Sequence, residues 1–219
     1  MKTLSVSLAA VAGLALTVAG IRFFTPDAMA QAPATAEKIE VLVDVDKVNI
    51  EIQKTPDFNV PNVKPKRSVP KDWIELEVDC KAKLSKDEKD RNKKAYEQVE
   101  FKYYAYLSGN PDPKKNRVVT GEVVHTNVPV GENIHSVMYV SPNTILKITE
   151  GKPVVKTMVE AWGVAVFING KEVGRKTSRS NKEWWKEPGL PAQEAVLKKK
   201  SETPFAPLWY DYHLDEATK

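Results

Sequence analysis

Apolar and polar residues alternate along several short segments of this chain between residues 38 and 178. A period of two is typical of β-strands that bury one face and expose the other. Clusters of Pro, Gly, Asn and Asp separate the segments, as turns do in a strand-rich domain. We therefore predict strands at residues 38–53, 72–84, 98–107, 117–128, 134–140 and 144–150, followed by a hairpin within 154–178.

The strongest turn signal is Asn169-Gly170, because a type I′ hairpin turn needs positive φ at both central residues. The predicted cross-strand pairs are Ile168 with Lys171, Val166 with Val173, Val164 with Arg175 and Trp162 with Thr177. The first arm, 161–168, is apolar on both faces, whereas the second arm is charged like an exposed edge strand. Something must therefore cover the outer face of the first arm. We favour the aromatic tail from Trp184 to Tyr212 as the cover, in which case replacing Trp209 or Phe205 should lower stability; the alternative is the same face of another subunit.

The first predicted strand indicates the fold class. Its apolar residues up to Val45 and those from Val48 onward fall on opposite faces, so we expect a bulge at Asp46-Lys47. A broken first strand that pairs with both sheets is common in immunoglobulin-like domains. We predict an all-β, immunoglobulin-like two-sheet β-sandwich, without the inter-sheet disulfide of antibody domains because Cys80 is the single cysteine. Cys80 falls on the inner face of its strand and is expected to be a small buried hydrophobe.

The composition changes after Ser180. The tail holds three of the five tryptophans and several prolines, and a disordered tail would be poor in aromatic residues. We expect a sandwich domain at 31–182 and, at 183–219, an extended aromatic extension that packs on the domain or on a neighbour.

Residues 1–30 have the parts of a secretory signal peptide: Lys2, an apolar run and the small-residue site Ala28-Met29-Ala30. Cleavage is expected after Ala30; an uncleaved membrane anchor is the alternative. We predict an exported protein of the periplasm, outer membrane or cell surface, which contacts the membrane only if the leader stays. The leader lacks the Gly and Glu that mark a type IV pilin.

Charge and motifs exclude several function classes. The net charge of +4 is spread through interleaved acidic and basic residues, which argues against nucleic acid as a partner. The three histidines lack zinc-ligand spacing, and no P-loop, GxGxxG or Gly-x-Ser-x-Gly is present. We predict no catalytic, metal or cofactor site. The enzymatic alternative is a hydrolase site assembled from His125, His135 and a carboxylate.

Aromatic residues supply the candidate interaction surface. Tyr104 and Tyr106 fall on the outer face of their strand, where they could contact a partner or pack within the sheet. The full candidate set is Tyr104, Tyr106, Trp162, Arg175, Trp184, Trp185 and Trp209. Trp184 and Trp185 also keep open a carbohydrate- or mucin-binding module, in which the two indoles would stack on sugars; packing on the sandwich is the alternative.

The leader, the unpaired cysteine, the hairpin AWGVAVFINGKEVGRKTS and the tail TPFAPLWYDYH together resemble a family of small exported proteins of Verrucomicrobia, associated with the pilus gene cluster of Akkermansia. The resemblance implies an immunoglobulin-like sandwich related to archaeal type IV pilus proteins, with a role in pilus assembly or attachment and no enzymatic activity. It transfers no functional residues. Because the pilin leader is missing, we expect an accessory role, with partners among pilus or envelope proteins or a second copy of the chain.

Overall fold

The computed structural model describes residues 40–218, except 59–60, 63, 65–68, 87–91, 111, 113, 115 and 192. These residues belong to one compact unit, Lys38–Lys219. The predicted leader at 1–30 lies outside the described residues, so its cleavage stays a prediction. Within the described part of the chain, no helix is both long and apolar enough to span a bilayer.

The described residues form two β-sheets and one short α-helix. The strands are β1 Val43–Lys54, β2 Asp72–Ala82, β3 Ala95–Leu107, β4 Arg117–Pro129, β5 Asn133–Val140, β6 Val159–Ile168, β7 Lys171–Thr177, β8 Gln193–Ala195 and β9 Lys198–Lys199, and helix α1 is Pro142–Thr149. One sheet has the order β1-β2-β5-β9 and the other β7-β6-β3-β4-β8. Strands β1, β2 and β5 thus oppose β3, β6 and β7, as strands A, B and E oppose C, F and G in immunoglobulin-like sandwiches, and β4 joins the second sheet. The predicted all-β sandwich is confirmed.

Strict alternation places the core between the sheets. In β2 the inward residues Ile74, Leu76, Val78 and Cys80 are all buried, as their spacing predicts. Burial raises the pKa of the Cys80 thiol to about 12, because the interior disfavours the thiolate. Cys80 is therefore a protonated core residue, in agreement with the prediction of a small buried hydrophobe.

The first strand joins the two sheets along one side of the sandwich. Its pairing with β2 slips between Val45 and Lys47, so the predicted bulge is confirmed. Just before the strand, the Leu42 amide donates to the Val173 carbonyl of β7 at 2.9 Å, and the Leu42 carbonyl accepts from the Lys83 amide at 2.7 Å. The charged edge strand β7 is thereby covered by the start of β1.

The strand predicted at 144–150 is wrong, because this segment forms α1. Ser141 caps the helix by accepting the Thr144 amide at 3.3 Å, and Pro142 follows at the first helical position. Both are helix-start signals. Ile145 and Ile148 lie three residues apart and pack into the core, a spacing that suits one face of a helix.

The hairpin turn is confirmed, but its register is only partly as predicted. Asn169 and Gly170 have φ of 51° and 75°, and Ile168 pairs with Lys171. A bulge next to Phe167 then shifts the other pairs, so that Val166 faces Gly174, Ala165 faces Arg175 and Gly163 faces Thr177. The shift places Gly174 where a Cβ would lie 2.2 Å from the Val43 carbonyl oxygen, and only glycine permits that approach.

The C-terminal residues close the other side of the sandwich. Strand β8 pairs in parallel with β4, and β9 then pairs antiparallel with β5, so the chain crosses from one sheet to the other. Near the end, the Leu214 amide donates to the His135 carbonyl at 2.9 Å and the Ala217 amide to Val124 at 2.8 Å. The tail therefore supplies backbone partners to both sheets and covers their remaining edges.

Candidate functional site

The C-terminal tail covers both outer faces of the sandwich, and its first contact is an apolar one. Trp184 and Trp185, here called the tryptophan cover, are buried against β3 and β6. The Trp185 ring stacks on Tyr104 with centroids 4.1 Å apart and planes 4° from parallel. Gly163 lies under the same ring, where a Cβ would come within 2.3 Å of it. The outer face of the first hairpin arm is thus covered by the tail.

The other predicted surface residues on this side also have partners within the chain. Arg175 pairs with Glu172 at 2.5 Å and with Glu183 at 3.2 Å. The Tyr106 hydroxyl accepts from Asn116 Nδ2 at 3.2 Å, and the Trp162 side chain packs against the core. The geometry thus assigns these groups to packing and ion pairing within the chain.

Trp184 and Trp185 are 0% and 4% exposed. Stacking on a sugar ring requires an accessible indole face, and neither indole offers one. The structure therefore removes the basis on which the carbohydrate-binding alternative rests.

The tail covers the first hairpin arm as predicted, but it does so through Trp184 and Trp185 and not through Phe205 and Trp209. Phe205 and Trp209 both lie on the outer face of the other sheet, because β8 and β9 carry the chain across the edge of the sandwich before residue 205. Phe205 is buried and stacks on Tyr139 of β5 at 4.7 Å between centroids. Trp209 stacks in turn on Phe205 at 6.3 Å and stays 45% exposed.

Beside Trp209 the tail leaves an open pocket of about 250 Å³. Two of its side chains, Glu75 and Glu77, come from β2, where alternate residues share one face. The tail contributes the aromatic side. The complete lining is Gln53, Glu75, Glu77, Trp209, Tyr212 and His213.

Glu75 is the unusual residue of this pocket, because it is a carboxylate that is only 5% exposed. Its Oε1 accepts from Gln53 Nε2 at 3.1 Å, while its Oε2 has no hydrogen-bond partner among the described residues. The Tyr139 hydroxyl, which has no other hydrogen-bond partner among the described residues, lies beside this carboxylate. Burial, together with Glu75, holds the pKa of Tyr139 well above its usual range.

Glu77 is held by the tail. Its Oε2 is 3.1 Å from His213 Nε2, and its Oε1 accepts from the Tyr212 hydroxyl at 3.4 Å. The hydrogen bond with His213 lowers the pKa of Glu77 and outweighs the effect of burial. These two contacts fix the tail over the acidic face of β2.

A second pair extends the polar network to β5. His135 Nδ1 lies 2.8 Å from Asp79 Oδ1, and the His135 ring stacks on Tyr212 at 3.9 Å. Glu77, Asp79 and His135 place metal-ligand atoms within 4.8 Å of one another. Each of the three side chains already has a hydrogen-bond or ion-pair partner, so this arrangement is satisfied as a polar network without an ion.

His125 does not join His135, because it points into the core while His135 lies on the outer face. The Tyr103 hydroxyl donates to Ser136 Oγ at 2.7 Å, and Ser136 Oγ lies 2.7 Å from His125 Nε2. His125 Nδ1 is 3.2 Å from the Asp215 carbonyl. Burial lowers the pKa of His125 to about 4. Ser136 is fully buried, so this serine–histidine pair has no open face toward a substrate.

The pocket was missed in the sequence because its acidic side chains fit a simpler interpretation. Glu75, Glu77 and Asp79 alternate with the core residues of β2, as the wet face of an exposed strand would. The tail that covers them lies about 135 residues further along the chain. Only the spacing of aromatic residues in that tail signalled that it packs somewhere.

Comparison with known proteins agrees with this architecture. A protein-family model matches residues 34–219. A crystal structure of a protein from Akkermansia muciniphila is similar, with 26% identity and a TM-score of 0.70 over 83% of this chain and 96% of that chain. Curated protein sequences give no match. The resemblance to an Akkermansia protein is thus supported, and the chain belongs to the family whose model spans residues 34–219.

Proposed function

We propose that this chain is a non-enzymatic cell-envelope protein that binds other proteins, as an accessory to type IV pilus-like assembly or attachment. One observation carries the proposal: Trp209, Tyr210 and Tyr212 are 45%, 70% and 48% exposed at adjacent positions of the tail. We call these three residues the aromatic ridge. Exposed Trp and Tyr side chains are enriched at the centres of protein interfaces, where they contribute much of the binding energy.

The ridge is held in place before any partner arrives. The Trp209 carbonyl accepts from the Lys200 ammonium at 3.1 Å and from the His213 amide at 3.2 Å. Below it, Phe205 is buried against Tyr139. A segment that is already ordered loses little conformational entropy on binding, which favours affinity.

Two observations support the envelope and pilus part of the proposal, and a third supports its non-enzymatic part. The leader pattern at 1–30 is typical of exported proteins. The family resemblance implies a protein of a pilus gene cluster, related to archaeal type IV pilus proteins. The serine–histidine pair of Ser136 and His125 is enclosed in the core, so the geometry favours a binding protein over a hydrolase.

Photo-crosslinking in intact cells tests the ridge as the contact surface. A photoreactive phenylalanine analogue at Tyr210 is expected to yield a discrete crosslinked product, either with an envelope protein or with a second copy of this chain. The matched control is the same analogue at Leu146, an exposed residue of α1. Equal products from both positions, or none from Tyr210, would contradict the proposal.

Gene deletion tests the pilus part separately. Loss of the gene is expected to reduce the number of pili or the attachment of cells, and the wild-type gene should restore them. A variant with Tyr210→Ser and Tyr212→Ser should be exported and folded but should not restore them. Unchanged piliation and attachment after deletion would exclude the accessory role while leaving the protein-binding role to the crosslinking result.

A further inference from the structure

We propose that the pocket beside the aromatic ridge binds the cationic side chain of a lysine or arginine from the partner protein. This inference rests on the proposed function for the identity of the partner, and on the pocket alone for the chemistry. This pocket combines an open mouth, aromatic walls and a buried acceptor without a hydrogen-bond partner among the described residues.

The pocket contains a buried carboxylate with an unsatisfied oxygen. Glu75 lines the pocket, is nine-tenths buried, and has one carboxylate oxygen without a hydrogen-bond partner among the described residues. Leaving a buried acceptor unpaired is unfavourable, and the penalty is larger for a charged group than for a neutral one. An ammonium or guanidinium group supplies an N–H donor together with the opposite charge, which the neutral Tyr139 hydroxyl beside Glu75 does not carry.

One side of the pocket is aromatic. Trp209 and Tyr212 line the same pocket, and the faces of Trp and Tyr attract organic cations through the ring quadrupole. Carboxylates and aromatic rings together suit a group with both a positive charge and an apolar stem. Lysine and arginine have this combination, whereas a hydrated metal ion would gain nothing from the rings.

The backbone of Trp209 has an unusual conformation. Its φ is 51°, in the left-handed region that bulky residues rarely adopt. Such a conformation is unfavourable and persists only where the surroundings fix it. Here the Lys200 ammonium and the His213 amide both donate to the Trp209 carbonyl. These two hydrogen bonds thus hold Trp209 in a strained backbone conformation that keeps its indole at the pocket.

The charge around the pocket and the size of the pocket also suit a cationic side chain. Burial is the main cause that raises the pKa of the Tyr212 hydroxyl, and the Glu77 and Asp79 carboxylates raise it further. Their effect reflects a negative potential at the pocket mouth. The same potential favours an incoming cation. A volume of about 250 Å³ is below the range for drug-sized ligands, which is consistent with a single inserted side chain.

Titration by nuclear magnetic resonance tests the proposal with defined probes. The protein is titrated with the N-acetyl methylamides of lysine, arginine and norleucine, and the indole N–H of Trp209 is followed. That signal is assigned from its loss in the Trp209→Asn variant, because Asn tolerates positive φ. Lysine and arginine are expected to give saturable shifts with millimolar dissociation constants that weaken in salt, and norleucine none.

The variants separate the pocket from the fold. Glu75→Gln is expected to weaken lysine binding about tenfold, equivalent to about 1.4 kcal/mol, and Trp209→Asn to abolish it. Glu97→Gln removes an exposed carboxylate of β3 and should bind as the wild type does. Equal binding of norleucine, or unchanged binding by Glu75→Gln, would overturn the inference.

Two further outcomes identify the source of the cation. If 1,5-diaminopentane binds and the lysine and arginine probes do not, the pocket takes a free amine and the proposed partner side chain is wrong. If no cation binds but the Tyr210 crosslink persists, the pocket inference fails while the protein-binding proposal stands. If the cations bind and the crosslink is absent, the chemistry of the pocket is right and the proposed function fails.

Discussion

The tail covers the two outer faces of the sandwich in different ways. At the tryptophan cover, Trp185 stacks on Tyr104 and its ring fills the space above Gly163, so the contact is apolar and closed. Over β2 and β5, Phe205 is buried in the same manner, but the residues that follow it stay exposed beside an acidic pocket. One half of the tail therefore completes the core, and the other half leaves a surface suited to binding.

The sheets themselves explain the difference. The face under the tryptophan cover carries small or aliphatic residues such as Val118 and Ala161, which bury without polar partners. The face under the ridge carries Glu75, Glu77 and Asp79, whose carboxylates need partners when a segment covers them. His213 and His135 supply some of these partners, and one Glu75 oxygen has no hydrogen-bond partner within the part of the chain that the structure describes.

The largest expected effect is the loss of the tryptophan cover. Trp185→Ala should lower the free energy of unfolding by about 3–5 kcal/mol, because it removes a buried ring and leaves a cavity. Urea denaturation followed by circular dichroism measures the change. Lysine binding of the protein that remains folded should be unaffected, and a stability loss under about 1 kcal/mol would contradict the role of the cover.

Acid should act through the other half of the tail, where His125 contacts the Asp215 carbonyl. The pKa of His125 is about 4 in the fold and about 6.5 in the unfolded chain, so the unfolded state binds more protons between these values. Stability is full above pH 6.5 and falls as the pH drops toward 4, by about 3 kcal/mol in all. Denaturation midpoints across this range measure the slope. His125→Gln should flatten it, and an equal slope in the variant would refute the assignment.

A smaller effect is expected under the tryptophan cover at Gly163. A Cβ at this position would press on the Trp185 ring, so Gly163→Ala should lower stability by about 1–3 kcal/mol. Gly121 is the matched site in β4, where a Cβ would instead meet Leu197 and the flexible Met138 side chain. Thermal unfolding of both variants, with indole fluorescence, should show a changed tryptophan environment only for Gly163→Ala.

The ridge should tolerate substitution best. Trp209→Asn loses a half-exposed ring but relieves a backbone conformation that Asn accepts more readily. The two effects offset each other, so the free energy of unfolding should change by less than about 1 kcal/mol. Urea denaturation again measures it. A loss as large as that of Trp185→Ala would mean that both halves of the tail serve packing.

The sequence predicts the sheets well because strand alternation is a local property. The inward residues of β2, the bulge near Asp46 and the Asn169-Gly170 turn all follow from neighbours a few positions apart. Segment 144–150 misleads because seven residues are too few to separate a period of two from one of 3.6. The hairpin register could not be predicted, because it depends on a bulge that places Gly174 against Val43. Val43 belongs to β1, which is distant in sequence.

The binding surface could not be predicted in the same way. Aromatic content shows that the tail packs, yet nothing local tells which sheet Phe205 meets after β8 and β9. For Tyr104, Tyr106, Trp184 and Trp185 the sequence therefore favours packing but leaves a surface role open, and the structure gives them partners within the chain. Trp209 alone of the seven candidates lies at the pocket.

The most direct test of this division is the lysine titration of wild type and Trp209→Asn under conditions in which both are fully folded. We expect lysine to cause saturable shifts of the signals around the pocket in the wild type and none in the variant. The backbone spectrum of the variant away from residues 205–216 should match that of the wild type. Equal lysine binding by the two proteins would contradict the account, because the ridge would then have no part in recognition.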